Sequence, residues 1–180
     1  MEKAIESEDV DSILRCVPVK KGDVIFVPAG TIHAIGKGIV ICEIQQCSNV
    51  TYRLYDFGRV GSDGKKRPLH LQKALDVAIL KPQPIQTQPQ TTIYKSDDTH
   101  IELLCSCNYF NTYRYRLNGS DTKFGTSPES FAAVVCLEGS GWLCSGSEKM
   151  CLAKGDSVFI PAGSMDVELA GTCELLVATL

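Results

Sequence analysis

Apolar residues in this chain fall mostly in short runs bounded by turn residues. Gly38 to Gln46 and Thr51 to Phe57 are two such runs in the first half. Ile101 to Ser106, Tyr109 to Leu117, Phe131 to Leu137, Trp142 to Cys144, Ser157 to Ile160 and Cys173 to Ala178 follow at close spacing in the second. Runs rich in β-branched and aromatic residues between Gly, Pro, Asn and Asp read as strands. Two stretches break the rule. From Leu69 to Leu80, the residues Leu71, Ala74, Leu75, Ala78 and Ile79 recur every three or four positions, which predicts an amphipathic helix over 69–80 that ends before Pro82 and Pro84. Ile5, Val10, Ile13 and Leu14 stand among acidic residues and predict a short helix over about 2–16, with Ser7 or Asp9 as its cap. Residues 81–92 are rich in Pro, Gln and Thr, lack periodicity and read as a linker. The expected organisation is a mainly β chain with a first lobe over 1–80, a linker over 81–92 and a second lobe over 93–180.

An internal repeat sharpens this picture. Residues 21–30 read Lys-Gly-Asp-Val-Ile-Phe-Val-Pro-Ala-Gly and residues 154–163 read Lys-Gly-Asp-Ser-Val-Phe-Ile-Pro-Ala-Gly. Each copy opens on a Gly-Asp turn, passes through four strand-forming positions and stops at Pro-Ala-Gly, where proline cannot donate to a ladder and glycine permits a tight turn. Two such copies far apart, each among strand-like runs, predict a duplicated all-β unit in two barrels or sandwiches.

Composition narrows the possible partners. The chain has 180 residues, 44% of them hydrophobic, and a formal net charge of −3. That balance offers no basic surface for a phosphate backbone, so nucleic acid is not expected as a partner. No apolar run approaches the roughly 20 residues that span a bilayer, so no membrane association is expected. The acidic amino terminus lacks the apolar core of a secretory signal, which makes the cytoplasm the expected location. Nine cysteines, an odd number with no C-x-x-C pair, point to reduced thiols that serve packing. Cys105 and Cys107, two apart, are expected on one face of a strand.

The candidate chemistry begins where the first repeat continues into Thr-Ile-His. Gly22, five residues, Pro28, one residue, Gly30, two residues and His33 together resemble the second motif of the cupin superfamily, whose histidine is a metal ligand projecting into the barrel. A single histidine after a strand is more often structural than ligating, and it is the surrounding spacing that favours the ligand. Lys37 stands where the motif usually ends in asparagine. In the second repeat Gly155, Pro161 and Gly163 keep the spacing, but Asp166 takes the histidine's place. Glu138-Gly139-Ser140-Gly141 is similar to the glycine end of the first cupin motif, without ligands. The resemblance implies two cupin-type jelly-roll lobes, the first incomplete and the second metal-free.

Downstream of His33 the resemblance becomes specific. Gly38-Ile39-Val40-Ile41-Cys42-Glu43-Ile44-Gln45-Gln46 leads into Thr51-Tyr52-Arg53-Leu54-Tyr55-Asp56-Phe57-Gly58-Arg59. This resembles the carboxy-terminal portion of the short bacterial form of type I mannose-6-phosphate isomerase, over nearly the whole chain. The family interconverts mannose 6-phosphate and fructose 6-phosphate through an enediol, assisted by zinc, and is an aldose-ketose isomerase of carbohydrate metabolism. By resemblance, His33 matches a zinc ligand and Arg53 the catalytic arginine. Glu43 falls where some relatives carry a candidate general base and Arg59 where they carry a basic residue near the sugar phosphate; Gln45 is a further candidate to line the pocket, although a polar residue in a barrel strand is more often a packing or hydrogen-bonding partner. A strand glutamate is as often a structural acid, and a turn arginine as often a solvated one, so Glu43 and Arg59 stay open between the two uses.

Complete members of the family have residues ahead of the point matching Met1 that supply a histidine and a glutamate to zinc. A catalytic zinc takes about three protein ligands, and this chain offers one recognisable ligand. Weak or absent zinc binding is therefore expected of the chain alone, with open strand edges in the first lobe that favour self-association or pairing with a missing amino-terminal half. The alternative reading is a non-catalytic cupin module that binds a sugar or sugar phosphate.

Overall fold

The computed structural model describes residues 10–48, 50–82, 84–85, 87–164 and 166–180. The chain divides into two compact units, one of Met1–Cys42 with Cys47–Gln86, the other of Glu43–Gln46 with Thr87–Leu180. Among the described residues the chain is mainly β, with one short α-helix. No helix among them is long and apolar enough to cross a membrane.

The seven strands among the described residues lie in the second unit: β1 Thr91–Lys95, β2 Thr99–Ser106, β3 Asn111–Phe124, β4 Ala132–Ser145, β5 Glu148–Ala153, β6 Ser157–Ile160 and β7 Val167–Thr179. They form one antiparallel sheet in the order β1-β2-β3-β7-β4-β5, with β6 also paired to β4. β4 is the hub. One of its edges pairs with β7 from Ala132 to Ser145, while the other is shared by β6 over Ala132 to Val135 and β5 over Ser140 to Ser145.

The long strands bend in the middle, and the sequence supplies the means. The ladders shift register between Asn118 and Ser120 on β3 and between Cys136 and Glu138 on β4. An extra residue reverses which side chains face inward. β3 accordingly contributes Tyr113, Tyr115 and Leu117 to the core before its bulge and Phe124 after it, while β4 contributes Ala132, Val134 and Cys136 and then Leu143. β7 has no shift on these ladders and keeps a single parity through Val167, Leu169, Cys173, Leu175 and Val177. At the bend the backbones come so close that only glycine fits. A Cβ on Gly139, whose φ is +74°, would sit 2.1 Å from the Thr172 carbonyl oxygen, and one on Gly141 would sit 2.4 Å from that of Ala170.

Two cysteines help fill this core. Burial pushes the Cys173 thiol up to about 11, reinforced by Cys136, and raises Cys136 as well. Both are packing groups at neutral pH. All nine cysteines are free. Cys105 lies in β2, but Cys107 falls past its end, where the thiol reaches the Phe110 carbonyl at 3.5 Å, so the two do not share a strand face. On the opposite face of the sheet, Arg114 donates to the Glu102 carboxylate at 2.8 Å from Nε and 2.8 Å from Nη2, a buried pair that satisfies both charges.

Strand expectations fit this unit with adjustments. β1 occupies the end of the expected linker, the runs Phe131 to Leu137 and Trp142 to Cys144 belong to one strand, and β5 was hidden by its polar start, Glu148-Lys149.

The first unit departs further. Its strand-like run Thr51 to Phe57 and the repeat segment 23–27, like the run Gly38 to Gln46 that straddles the two units, form no ladder among the described residues; one isolated bridge joins Val60 and Lys66. A strand needs a partner for its N–H and C=O groups, and no described segment of this chain supplies one. Ile25, Phe26, Val27, Ile39 and Ile41 stay exposed, and Val40 is 98% exposed. The expected amino-terminal helix also falls short. Residues 1–9 lie outside the described residues, Asp11–Ile13 make a single 3-10 turn, and Leu14 is already extended with ψ at 140°. Pro18 accounts for the extended chain just ahead of it, because it disfavours the helical region for Val17. The second helix, α1, runs Leu71–Val77, inside the expected 69–80, and stops because Ala78 turns extended.

A stability measurement checks the corner and the core of the second unit. Trp142 is the single tryptophan and lies on β4, so its fluorescence reports this unit. In urea, Gly139→Ala should lose about 2 kcal/mol or more and Leu169→Ala about 3 kcal/mol. An unchanged midpoint for Gly139→Ala would refute the corner argument.

Candidate functional site

The turn that opens each repeat is the same in both units. Asp23 N–H donates to the Lys20 carbonyl at 3.1 Å, and the Asp23 carboxylate accepts from Lys20 N–H at 3.0 Å. Asp156 makes the equivalent pair with Ala153 at 2.9 and 2.8 Å. Gly22 and Gly155 take φ of +91° and +95°, which explains the Gly-Asp dipeptide in both copies.

The first copy then leads to His33. Thr31 N–H donates to the Pro28 carbonyl at 3.1 Å, closing a turn through Gly30 at φ +82°. Glycine is required there twice over, since a Cβ would sit 2.6 Å from the Val77 carbonyl oxygen at the end of α1. Beyond α1, Ile79 N–H donates to the Gly30 carbonyl at 2.8 Å. His33 is exposed, and its Nδ1 lies 2.9 Å from the Thr31 carbonyl. A carbonyl only accepts, so Nδ1 carries the proton and Nε2 of the neutral ring keeps a lone pair facing away, the form that binds a metal ion.

Arg53 is held by three neighbours. Its backbone N–H donates to His70 Nδ1 at 3.1 Å and its carbonyl accepts from His70 N–H at 2.8 Å. Its guanidinium Nη1 donates to the Pro68 carbonyl at 3.1 Å, and Nε lies 3.6 Å from Asp56 Oδ1. Asp56 in turn accepts from Arg67, at 2.8 Å from Nε and through a second contact from Nη2. The Arg67 guanidinium bonded to it holds the Asp56 carboxyl below its ordinary value, and the charges of Arg53 and Arg59 add to the effect. Arg67 takes much of the Asp56 charge, which leaves the Arg53 guanidinium only partly neutralised.

Asp56 also starts the turn that carries Arg59. Arg59 N–H donates to the Asp56 carbonyl at 3.0 Å across Phe57 and Gly58, whose φ angles are +53° and +65°. Two left-handed residues in succession make a turn of the kind hairpins use. Phe57 is the sole non-glycine with positive φ among the described residues, and a bulky residue there is strained. Edge contact with the Tyr55 ring at 4.9 Å and the Arg59 guanidinium 5.9 Å from its centroid help hold it.

The structure thus places His33, Arg53 and Arg59 in the first unit, with α1 touching the segments of the first two. Glu43 and Gln45 are exposed and group with the second unit. Asp166 is exposed as well. No three His, Cys, Asp or Glu side chains converge as a metal site among the described residues. His70, Asp56 and Arg67 escaped the sequence reading. Their signals were Asp56 three residues past Arg53 and a histidine directly ahead of the first helical residue.

Residues 100–180 match the sequence model of the mannose-6-phosphate isomerase cupin domain. Beyond that stretch, 98% of the chain is 36% identical to a mannose-6-phosphate isomerase of Streptococcus mutans and 38% identical to the mannose-6-phosphate isomerase ManA of Bacillus subtilis. A crystal structure of the mannose 6-phosphate isomerase from Bacillus subtilis superposes on 98% of the chain with a TM-score of 0.88 at 34% identity. Nearly the whole chain is thus similar to mannose-6-phosphate isomerases. It spans about half the length of these relatives, 54% and 55% of the two proteins and 55% of the solved chain. A further mannose 6-phosphate isomerase structure, described as holo and zinc bound, shares the fold over 62% of this chain with a TM-score of 0.50 at 22% identity.

Two outcomes follow from the Asp56 cluster. A depressed carboxyl stabilises the folded state fully above its unfolded value and loses that contribution as pH falls through the lower folded value. Titrating the Asp56 carboxyl by NMR should therefore give a pKa below the ordinary aspartate value, and Arg67→Ala should bring it back toward that value. A wild-type titration at the ordinary value would sink the assignment.

Proposed function

We propose that this chain forms the later part of the catalytic lobe and a metal-free second cupin lobe of an enzyme that interconverts mannose 6-phosphate and fructose 6-phosphate. The observation that carries the reading is the match of nearly the whole chain to the Bacillus subtilis mannose 6-phosphate isomerase structure. The fixed Arg53 adds chemical support.

The reaction moves one proton between adjacent carbons. A base takes the proton from C2 of the open-chain aldose, the electron pair forms a C1=C2 double bond, and the C1 carbonyl oxygen gains negative charge. Passing the C2 hydroxyl proton to O1 and returning a proton to C1 leaves a hydroxyl at C1 and a ketone at C2. The intermediate oxygens carry negative charge, which a guanidinium held in place stabilises without reorganising. Arg53 takes that role, with two contacts on its guanidinium and Asp56 shared with Arg67. Glu43 is the proposed base. Arg59 on its strained turn and Gln45 are the proposed contacts to the sugar phosphate.

Zinc is the ion the family implies, and His33 in its Nε2-available form suits one coordination position. The described residues bring together no group of three ligands, so this chain alone does not fit the ion and no step here runs through it. The short α1, with Ala74 buried against its docked face, is the proposed brace of the first lobe.

A coupled assay for fructose 6-phosphate formed from mannose 6-phosphate tests the reading. With the amino-terminal half of a relative supplied, turnover should appear and fall by about a hundredfold or more in Arg53→Ala. Conversion that survives Arg53→Ala undiminished overturns the role of Arg53. Binding of mannose 6-phosphate without conversion supports the alternative of a non-catalytic sugar-phosphate module.

A further inference from the structure

Arg53 can stabilise developing charge only if its guanidinium starts from a fixed backbone. It lies in a segment without a sheet ladder, so neither of its backbone groups is held by strand pairing. Both go to one residue. His70 Nδ1 accepts from Arg53 N–H at 3.1 Å, and His70 N–H donates to the Arg53 carbonyl at 2.8 Å.

His70 also stands immediately ahead of α1, where its carbonyl accepts from Ala74 N–H at 2.8 Å and so begins the helix. A residue in that place ordinarily turns its side chain back onto the first helical N–H groups. His70 makes no such cap bond. Its ring reaches sideways to Arg53, half-buried and 6.3 Å from the Tyr52 ring. An exposed helix start gives up a cap, and the acceptor goes to the N–H of the one arginine that the chemistry needs.

We propose that His70 is the positioning residue of Arg53, clamping its backbone from both sides and tying it to the start of α1. The proposal rests on the isomerase reading for why Arg53 must be held, but the clamp itself is measurable without turnover. At the far end of α1, Ile79 N–H bonds the Gly30 carbonyl, which gives an internal control on the same helix.

The test compares wild type, His70→Ala and His70→Asn by amide hydrogen exchange read by NMR. Asparagine carries its Oδ1 at the same number of bonds from the backbone as Nδ1, so it keeps the acceptor and loses the rest of the ring. His70→Ala should speed exchange at the Arg53 amide about tenfold, the factor that one hydrogen bond's net worth gives. The Ile79 amide should stay within about twofold, and His70→Asn should restore most of the protection at Arg53. Unchanged exchange at Arg53 in His70→Ala would overturn the clamp, as would equal acceleration at Arg53 and Ile79, which means general loosening. His70→Asn behaving like His70→Ala would overturn the role of Nδ1.

Turnover of mannose 6-phosphate in the same three proteins, each supplied with the amino-terminal half of a relative, reads the consequence. His70→Ala should lower kcat about tenfold with KM within about twofold, and His70→Asn should recover it. A wild-type chain that shows the exchange pattern but no turnover upholds the clamp and counts against the isomerase reading.

Discussion

Backbone pairing is the constraint on which the rest of this structure depends, and the internal repeat isolates it. Val158-Phe159-Ile160 and Ile25-Phe26-Val27 have nearly the same side chains between the same turns. The first triplet pairs with Val134, Ala133 and Ala132 of β4, and Ile160 is 4% exposed. The second meets no strand among the described residues, and Val27 is 39% exposed. Strand propensity describes a surface that packs well once pleated against a partner, and by itself it fixes little. Nearly identical sequence thus gives a strand where β4 is present and an unpaired extended segment where nothing plays the part of β4.

Turns behave in the opposite way because their bonds close within four residues. Lys20 to Asp23 and Ala153 to Asp156 reach the same geometry although one precedes a strand and the other an unpaired segment. The next turn shows where local bonding stops being sufficient. In the second copy Ser164 N–H donates to Thr126 Oγ1, and the Ser164 hydroxyl donates to the Pro161 carbonyl. In the first copy the hydroxyl of Thr31 is buried without a partner among the described residues. A buried hydroxyl without a partner is costly, and here it marks the place where the second copy receives Thr126, just past the end of β3.

This contrast decides what was legible in the sequence. Gly22, Gly30, Gly155 and Gly163 could be placed because a positive φ leaves a local signature. The strands of the second unit could be placed because their alternation of inward and outward residues is strong, as in Tyr113, Tyr115 and Leu117. The length of β4 could not, since the bulge at Cys136 and Glu138 reverses the alternation midway and splits one strand into two apparent runs. Unpaired extended chain in the first unit was equally hidden, because composition reports what a segment would do beside a partner. At the candidate site, His33 and Arg53 were legible as motif positions. His70 was not, because its contact with Arg53 spans seventeen residues and replaces the helix cap that its position suggests.

The same reasoning explains why the first unit holds Arg53 by side chains. A residue in a sheet has its N–H and C=O fixed on both sides by a ladder, and its side chain direction follows from the pleat. Arg53 has no ladder, and other groups supply each restraint: His70 for the backbone, Pro68 and Asp56 for the guanidinium. Asp56 could neutralise Arg53 outright if it were undivided, which would weaken any stabilisation of a developing oxyanion. Arg67 prevents that by donating to the carboxylate at close range, while Asp56 still lies near enough to orient Arg53. Two arginines on one carboxylate leave a net positive charge, and a cationic site of that kind suits an anionic ligand.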